Sequence, residues 1–232
     1  MVGEYVRAQR SATSNARLSI AVSHVERPQN YVRRILRSLI RSASFGDNVI
    51  AFCDLSEEPS ADFKVIAQEL TQFIDSGQPI IERLSGGRLP IDGLIRSFGD
   101  DEARVKRRSR QVPDVAHMME RHSGLAPYYL HLEDDIVAER SCLAAVRKIV
   151  DATPAGWFSI KLLDLGSCAI LFQSADLAQL SAYLRLMYYK MPVDWLIDQQ
   201  IDFKQKTGRA SFVKMGLFDH IGGHSSLAGQ IR

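Results

Sequence analysis

Three consecutive carboxylates, Glu133-Asp134-Asp135, follow the segment Tyr128-Tyr-Leu-His-Leu132 and precede Ile136-Val137. Like charges this close repel and raise one another's pKa unless a cation offsets them. The preceding run has the length and composition of a buried strand, and ligands of open α/β sheets collect at the carboxyl ends of strands. A hard divalent ion bridging protein carboxylates and substrate phosphates satisfies both conditions. An acidic triplet by itself is more often a solvated loop leading into a helix cap, so the strand context carries the metal reading.

Three further constellations could do chemistry. In Pro192-Val-Asp-Trp-Leu-Ile-Asp198, proline opens a helix and sets Asp194 in its first turn, where the helix dipole favours the ionised form. Asp198 lies four residues on, on the same face. An ionised carboxylate beside an aromatic ring suits a general base for a sugar hydroxyl, with Asp194 the first candidate and Asp198 the reserve; an acidic first turn on an amphipathic helix is the plain alternative. In Phe218-Asp-His-Ile-Gly-Gly-His-Ser-Ser-Leu-Ala-Gly229, His220 and His224 have the spacing of a helical zinc pair, but Gly222 and Gly223 oppose a helix there. A loop offering backbone N–H groups, hydroxyls and one imidazole ligand fits a diphosphate–metal site better, against the plain reading of incidental histidines in a tail. In Arg104-Val-Lys-Arg-Arg-Ser-Arg110, Arg104, Arg107 or Arg108 could meet a phosphate on one helical face, although a solvated face is the commoner use of a charge run.

The elements that would position these groups alternate. Arg17–Val22 reads as a first strand, closed by a loop ending at Pro28. Tyr31–Ser42 places Tyr31, Ile35, Leu36, Leu39 and Ile40 on one helical stripe. Asn48–Cys53 reads as a buried strand and Ala61–Asp75 as a second helix, an order that implies a parallel sheet with crossover helices. A short strand over Ile80–Leu84 follows, then a helix over Asp101–Ser123 that Pro113 should kink or divide. After the strand that ends at the acidic triplet, the pattern predicts a helix over Ser141–Ala152 and a strand over Trp157–Leu163. Helices over Ala175–Tyr189 and Pro192–Lys206 and a last strand over Ser211–Met215 complete the chain. Residues 1–16 read as a loose arm and 17–232 as one domain.

The chain's 232 residues suffice for one sizeable α/β domain. Its 29 basic and 27 acidic side chains nearly balance, which argues against general affinity for nucleic acid or anionic membrane. Cys53, Cys142 and Cys168 have no zinc-site spacing and suggest no disulfide framework; they read as buried thiols of a reducing compartment. No apolar run approaches the length of a membrane span and the first residues form no secretory segment. The chain is therefore expected to be cytoplasmic if complete.

Taken together, the ordered segments resemble the N-acetylglucosaminyltransferase IV family, which builds the β1,4-GlcNAc branch on the α1,3-mannose arm of N-glycans. The resemblance runs from about Arg17 to Ile231 and rests on Phe98-Gly-Asp, Arg104-Val, Arg108, Gln111, Tyr128-Tyr, Leu132-Glu-Asp-Asp-Ile136, Trp157, Leu165-Gly166, Pro192, Asp194-Trp-Leu, Asp198, His220, Gly222 and His224-Ser-Ser-Leu227. It implies a single α/β domain of the GT-A type, with a mostly parallel central sheet flanked by helices. It also implies UDP-GlcNAc as donor, Mn²⁺ or Mg²⁺ as cofactor, a glycan acceptor of mannose type, a β1,4 linkage and inversion at the anomeric carbon. Carried over by position, Glu133-Asp134-Asp135 is the DxD-like motif. Asp135 is then the direct metal ligand, with His220 beside it, and Glu133 and Asp134 lie nearer the ribose and sugar. His224, Ser225 and Ser226 fall near the diphosphate or acceptor, and Ser23 and Arg27 border the uridine.

The chain departs from the family at several positions. Lys161 stands where the family usually has glutamate, and Asp164 and His131 where it has glutamine. Ala169-Ile170 replaces the Gly-Lys pair expected after Leu165-Gly166. The family's membrane anchor, stem and lectin-like domain have no counterpart, as expected of a compact microbial relative acting on another glycan; a trimmed eukaryotic catalytic domain would instead belong in the Golgi lumen. Three rival functions remain at this stage: a transferase of another UDP-sugar or onto another acceptor, a sugar nucleotidyltransferase, and a non-catalytic glycan-binding protein. Val22–Arg27 has none of the glycines of a nucleotidyltransferase phosphate loop.

Overall fold

The computed structural model describes residues 16–25, 29, 31–42, 48–55, 65–66, 68–69, 80–83 and 89–223. The expected N-terminal arm, most of the Ala61–Asp75 helix, Arg27, His224, Ser225 and Ser226 lie outside the described residues.

A sheet of seven strands forms the centre. Its strands are β1 (Leu18–His24), β2 (Asn48–Asp54), β3 (Ile80–Arg83), β4 (Tyr128–Glu133), β6 (Trp157–Lys161), β7 (Ala169–Gln173) and β8 (Ala210–Val213), in the order β3-β2-β1-β4-β7-β6-β8. The first four in that order are mutually parallel. β7 then pairs antiparallel to both β4 and β6, and β8 returns parallel to β6. Two short strands, β5 (Ile136–Ala138) and β9 (Phe218–His220), make a separate antiparallel ribbon.

Alternation along the strands supplies two cores, because successive side chains face opposite sides of a sheet. Leu18, Ile20, Val22, Leu130 and Leu132 face one side, packing with Ile35, Leu36 and Leu39 of α1 (Val32–Ser42) and with Leu143 and Val146 of α3 (Cys142–Ala152). Ala21, Tyr129, Ile170 and Phe172 face the other. There they meet Val112, Val115 and Met119 of α2 (Glu102–His122), Leu180 and Leu184 of α4 (Leu177–Met187), and Leu196 and Ile197 of α5 (Val193–Lys206). The result is a three-layer α/β/α domain with a mostly parallel sheet, as the sequence predicts.

Three expectations are corrected. Pro113 does not divide its helix: α2 runs uninterrupted from an Asp101 N-cap, whose side chain accepts from the Arg104 N–H at 2.7 Å. Val112, Pro113, Val115 and Ala116 are buried, and that packing outweighs the single backbone donor lost at proline. The Ala175–Tyr189 helix is shorter, with a 3₁₀ turn over Ser174–Asp176 before α4. Strands β5, β7 and β9 are additional to the predicted set. Among the described residues, no helix is long and apolar enough to cross a membrane.

Under the sheet, the His122 ring at the end of α2 lies 2.6 Å from Ser19 Oγ through Nδ1, with both residues buried. Burial, helped by the Arg121 and His131 charges, pushes the His122 pKa down to about 3, so this imidazole is neutral in the folded protein.

Candidate active site at the carboxyl ends of β1 and β4

β1 and β4 run side by side in parallel, with Ser23 opposite Glu133, so the acidic triplet leaves the sheet next to the exit of β1. There the His24 Nδ1 and Asp134 Oδ2 atoms meet at 2.5 Å, each side chain 1% exposed. The His24 ring packs on Phe52, with centroids 5.5 Å apart. Asp54 ends β2 in register with His24 and is itself buried. Ser23 donates its hydroxyl to the Leu132 carbonyl at 3.2 Å. Thus Asp134 is fastened inward, while Asp135 is carried by the turn into β5.

The β5–β9 ribbon delivers the C-terminal segment to that turn. Ile136 pairs with His220, and the Ile221 N–H donates to the Asp135 carbonyl at 2.9 Å. This register brings His220 Nε2 to 3.5 Å from Asp135 Oδ2. Gly222 follows immediately, and a Cβ there would fall 2.6 Å from Asp135 Oδ2 and 2.9 Å from His220 Nε2. Only a glycine leaves room for both groups. One residue further, the Gly223 N–H donates to Tyr31 Oη at 2.9 Å, and that hydroxyl donates to Gln29 Oε1 at 2.8 Å.

A hairpin turn between β6 and β7 closes the third side. The Cys168 N–H donates to the Leu165 carbonyl at 3.1 Å, with Gly166 at φ +49° inside the turn. Ser167 Oγ donates to Glu133 Oε1 at 2.8 Å, and the Glu133 N–H donates to the Cys168 carbonyl at 2.9 Å. Ligand atoms of Glu133, Asp135 and Cys168 all lie within 4.8 Å of one another. Gly166, at the other end of the turn, abuts Asp194: its ideal Cβ position is 3.5 Å from Asp194 Oδ2. Gly166 and Cys168 are two residues apart, so their Cα atoms are separated by at most about 7 Å. The turn therefore touches Asp194 through Gly166 and Glu133 through Ser167 and Cys168.

The donor set fits a divalent ion of intermediate hardness. Two carboxylates favour Mg²⁺ or Mn²⁺, an imidazole favours Mn²⁺ over Mg²⁺, and the Cys168 thiol is a softer donor still. The missing Cβ of Gly222 lets Asp135 and His220 stand together at this position.

Three expected site residues are brought into different company. Asp198 pairs with Lys161 at 2.7 Å. Arg104 and Arg108 both turn to Asp100, at 2.9 and 3.2 Å. Arg108 is 1% exposed and also donates to Ser97 Oγ and the Lys190 carbonyl, so its expected phosphate contact gives way to an internal role. His24, Ser167 and Cys168 escape the sequence reading. His24 could have been found as a polar residue at the exit of the first strand, whereas Ser167 and Cys168 follow Leu165-Gly166 in a turn where no local pattern marks a contact with Glu133.

This architecture, with an acidic turn at the carboxyl edge of a mostly parallel sheet flanked by helices, is that of a GT-A fold. The model of the MGAT4 conserved region matches residues 3–232, and the chain belongs to that family. It is 29% identical to alpha-1,3-mannosyl-glycoprotein 4-beta-N-acetylglucosaminyltransferase C of Macaca fascicularis, over 91% of this chain and 46% of that protein. It is 30% identical to the alpha-1,6-mannosyl-glycoprotein 4-beta-N-acetylglucosaminyltransferase of Gallus gallus, over 92% and 48%. The chain thus spans about half the length of these curated relatives. Among solved structures, the 4-diphosphocytidyl-2C-methyl-D-erythritol synthase of Anaerococcus prevotii superposes with a TM-score of 0.54 at 8% identity, covering 91% of each chain. A protein of Desulfovibrio desulfuricans described as a nucleotide-diphospho-sugar transferase gives 0.50 at 8% identity, covering 86% and 80%. At such identity these two likenesses show the fold alone.

Proposed function

We propose that this chain is an inverting glycosyltransferase that moves N-acetylglucosamine from UDP-GlcNAc to a hydroxyl of a mannose-type glycan, forming a β1,4 linkage with Mn²⁺ or Mg²⁺ as cofactor. The observation that carries this reading is the turn Gly166-Ser167-Cys168, whose first residue abuts Asp194 and whose other two meet Glu133. The family and the names of the relatives support the donor, linkage and acceptor class.

Asp135 and His220 would hold the ion, with Glu133 and Cys168 at its flank; when bound, the ion offsets charge that develops on the UDP leaving group. Asp134 is locked by His24, which leaves its backbone and the adjoining Ser23 to border the nucleotide. Asp194, in the first turn of α5, accepts the proton of the acceptor hydroxyl as that oxygen attacks the anomeric carbon. The C1–O bond to the diphosphate breaks as the new glycosidic bond forms on the opposite face, so configuration inverts. Asp198 serves as the charge partner of Lys161, and Arg104 and Arg108 hold the Ser97–Asp100 loop.

Asp194→Asn tests the reading. It is expected to lower GlcNAc transfer to a mannotriose acceptor by about 10²–10⁴-fold, while UDP with Mn²⁺ still raises the melting temperature. Unchanged turnover would remove Asp194 from the role of base. The rival reading as a sugar nucleotidyltransferase motivates a control with UTP and GlcNAc-1-phosphate, in which release of pyrophosphate would favour nucleotidyl transfer.

A further inference from the structure

Phe98 and Trp195 present an aromatic surface that the donor reading does not use. Phe98 is 56% exposed and Trp195 47% exposed, and their rings meet edge to face with centroids 5.0 Å apart. Exposing two large rings in contact is unfavourable in water unless something covers them.

The backbone under Phe98 is also held against its preference. Among the described residues, Phe98 alone of the non-glycine residues has positive φ, at 60°, a conformation that costs a bulky side chain about 1 kcal/mol or more. The strain is maintained by a buried brace. Asp100 forms ion pairs with Arg104 and Arg108. Arg108 donates to Ser97 Oγ at 2.6 Å and to the Lys190 carbonyl at 3.2 Å, and its guanidinium lies 5.4 Å from the Phe98 ring centroid. A strained residue held out into solvent by a buried arginine is a feature of binding sites.

Trp195 directly follows Asp194 in the first turn of α5. Successive helical residues are about 100° apart, so the two side chains leave adjoining sectors of the same helix end. Resting on the reading of Asp194 as the base, we infer that Phe98 and Trp195 are the acceptor platform, which takes the apolar C–H face of a neutral hexopyranose and sets which hydroxyl faces Asp194. An aromatic face carries partial negative charge and attracts the weakly positive axial C–H groups of a pyranose. This contact draws on no charge of the ligand, so a neutral hexopyranose meets its requirements.

The chain itself supplies the probe, because it has two tryptophans and Trp157 is buried and stacked on Tyr128. Acrylamide quenching therefore reports Trp195. The full chain, with UDP and Mn²⁺ present, is titrated with mannotriose and with the methyl glycosides of mannose, galactose and GlcNAc. Saturable shielding of Trp195 by at least one of them is expected, and Phe98→Gly should weaken that shielding about tenfold. Phe98→Gly relieves the positive φ, so its melting temperature stays within a few degrees of the parent; a merely structural Phe98 would lose stability and leave shielding intact. If UDP stabilises the chain but no saccharide shields Trp195, or if a saccharide binds by calorimetry and leaves Trp195 fully quenchable, the platform is overturned and the donor reading stands. If UDP gives no stabilisation while a saccharide still shields Trp195, the transferase reading falls and the platform survives as a glycan-binding surface.

Discussion

Gly222 lies so close to Asp135 that a methyl group on its Cα would stand 2.6 Å from the carboxylate oxygen Oδ2. The contact ties the C-terminal segment to the acidic turn by shape, in addition to the β5–β9 ladder that ties it by hydrogen bonds. Gly222→Ala must therefore displace either Asp135 or His220. With the ligand pair disturbed, the response of the melting temperature to Mn²⁺ plus UDP should disappear, and transfer should fall by about 10–100-fold, the usual range for disturbing the support of a metal ligand. Without ligands the melting temperature should drop by only a few degrees, since Gly222 does not have the positive φ of a conformationally obligatory glycine. Thermal shift with and without Mn²⁺ and UDP reads both effects; an unchanged response would detach the C-terminal segment from the site.

His24 and Asp134 form the second fixed point. Both side chains are buried and 2.5 Å apart, so removing one takes this buried contact from the other. His24→Leu and Asp134→Leu should each destabilise by on the order of 3 kcal/mol. The double variant should be less unstable than the sum of the two by about 1 kcal/mol or more. Urea midpoints of the four proteins measure this coupling. Additive losses would mean that the pair contributes nothing as a pair.

Much of the scaffold was legible because its signals are local. The stripe Ile35-Leu36-Leu39 and the proline-opened helix after Pro192 each needed one window of sequence. The missed strand β7 lies in Ala169-Ile-Leu-Phe172, which is buried on both faces and so shows no alternation to announce a strand. The candidate site divides the same way. Glu133, Asp134 and Asp135 are consecutive, and Asp194 is marked by its helix start. His24 reaches Asp134 across 110 residues and Ser167 reaches Glu133 across 34. No spacing rule encodes such contacts; they follow from the strand order, which sets β1 against β4 and the β6–β7 turn over both. The arginine run shows the converse, since Arg104 and Arg108 have the spacing of a phosphate clamp but find Asp100 first.

Arg108 offers a test of that internal role. Its burial lowers its pKa, chiefly by desolvation, while Asp100 opposes the shift. Arg108→Met leaves the buried Asp100 carboxylate with less compensation and should cost about 3–5 kcal/mol. Arg108→Lys should recover only part of the loss, because an ammonium cannot replace the fork that serves Asp100, Ser97 and Lys190. UDP affinity, measured by calorimetry well below the melting temperature, should match the parent. A phosphate-binding arginine would give the opposite pattern, with stability retained and UDP affinity reduced.

His122 predicts how the fold responds to acid. Burial holds its pKa at about 3 in the native state, against about 6.5 in an unfolded chain. Between these values the unfolded state binds a proton that the folded state refuses, so stability is fully present above pH 6.5 and declines as pH falls toward 3. The slope from this one group approaches about 1.4 kcal/mol per pH unit, or roughly 2 kcal/mol lost by pH 5. His122→Leu cannot take up the proton in either state. It should be less stable than the parent at neutral pH, because Ser19 Oγ loses the ring nitrogen 2.6 Å away, yet its stability should fall less steeply between pH 6.5 and 4. Urea midpoints of the two proteins across that range are expected to converge as pH decreases, and parallel curves would show that His122 already takes up its proton in the native state.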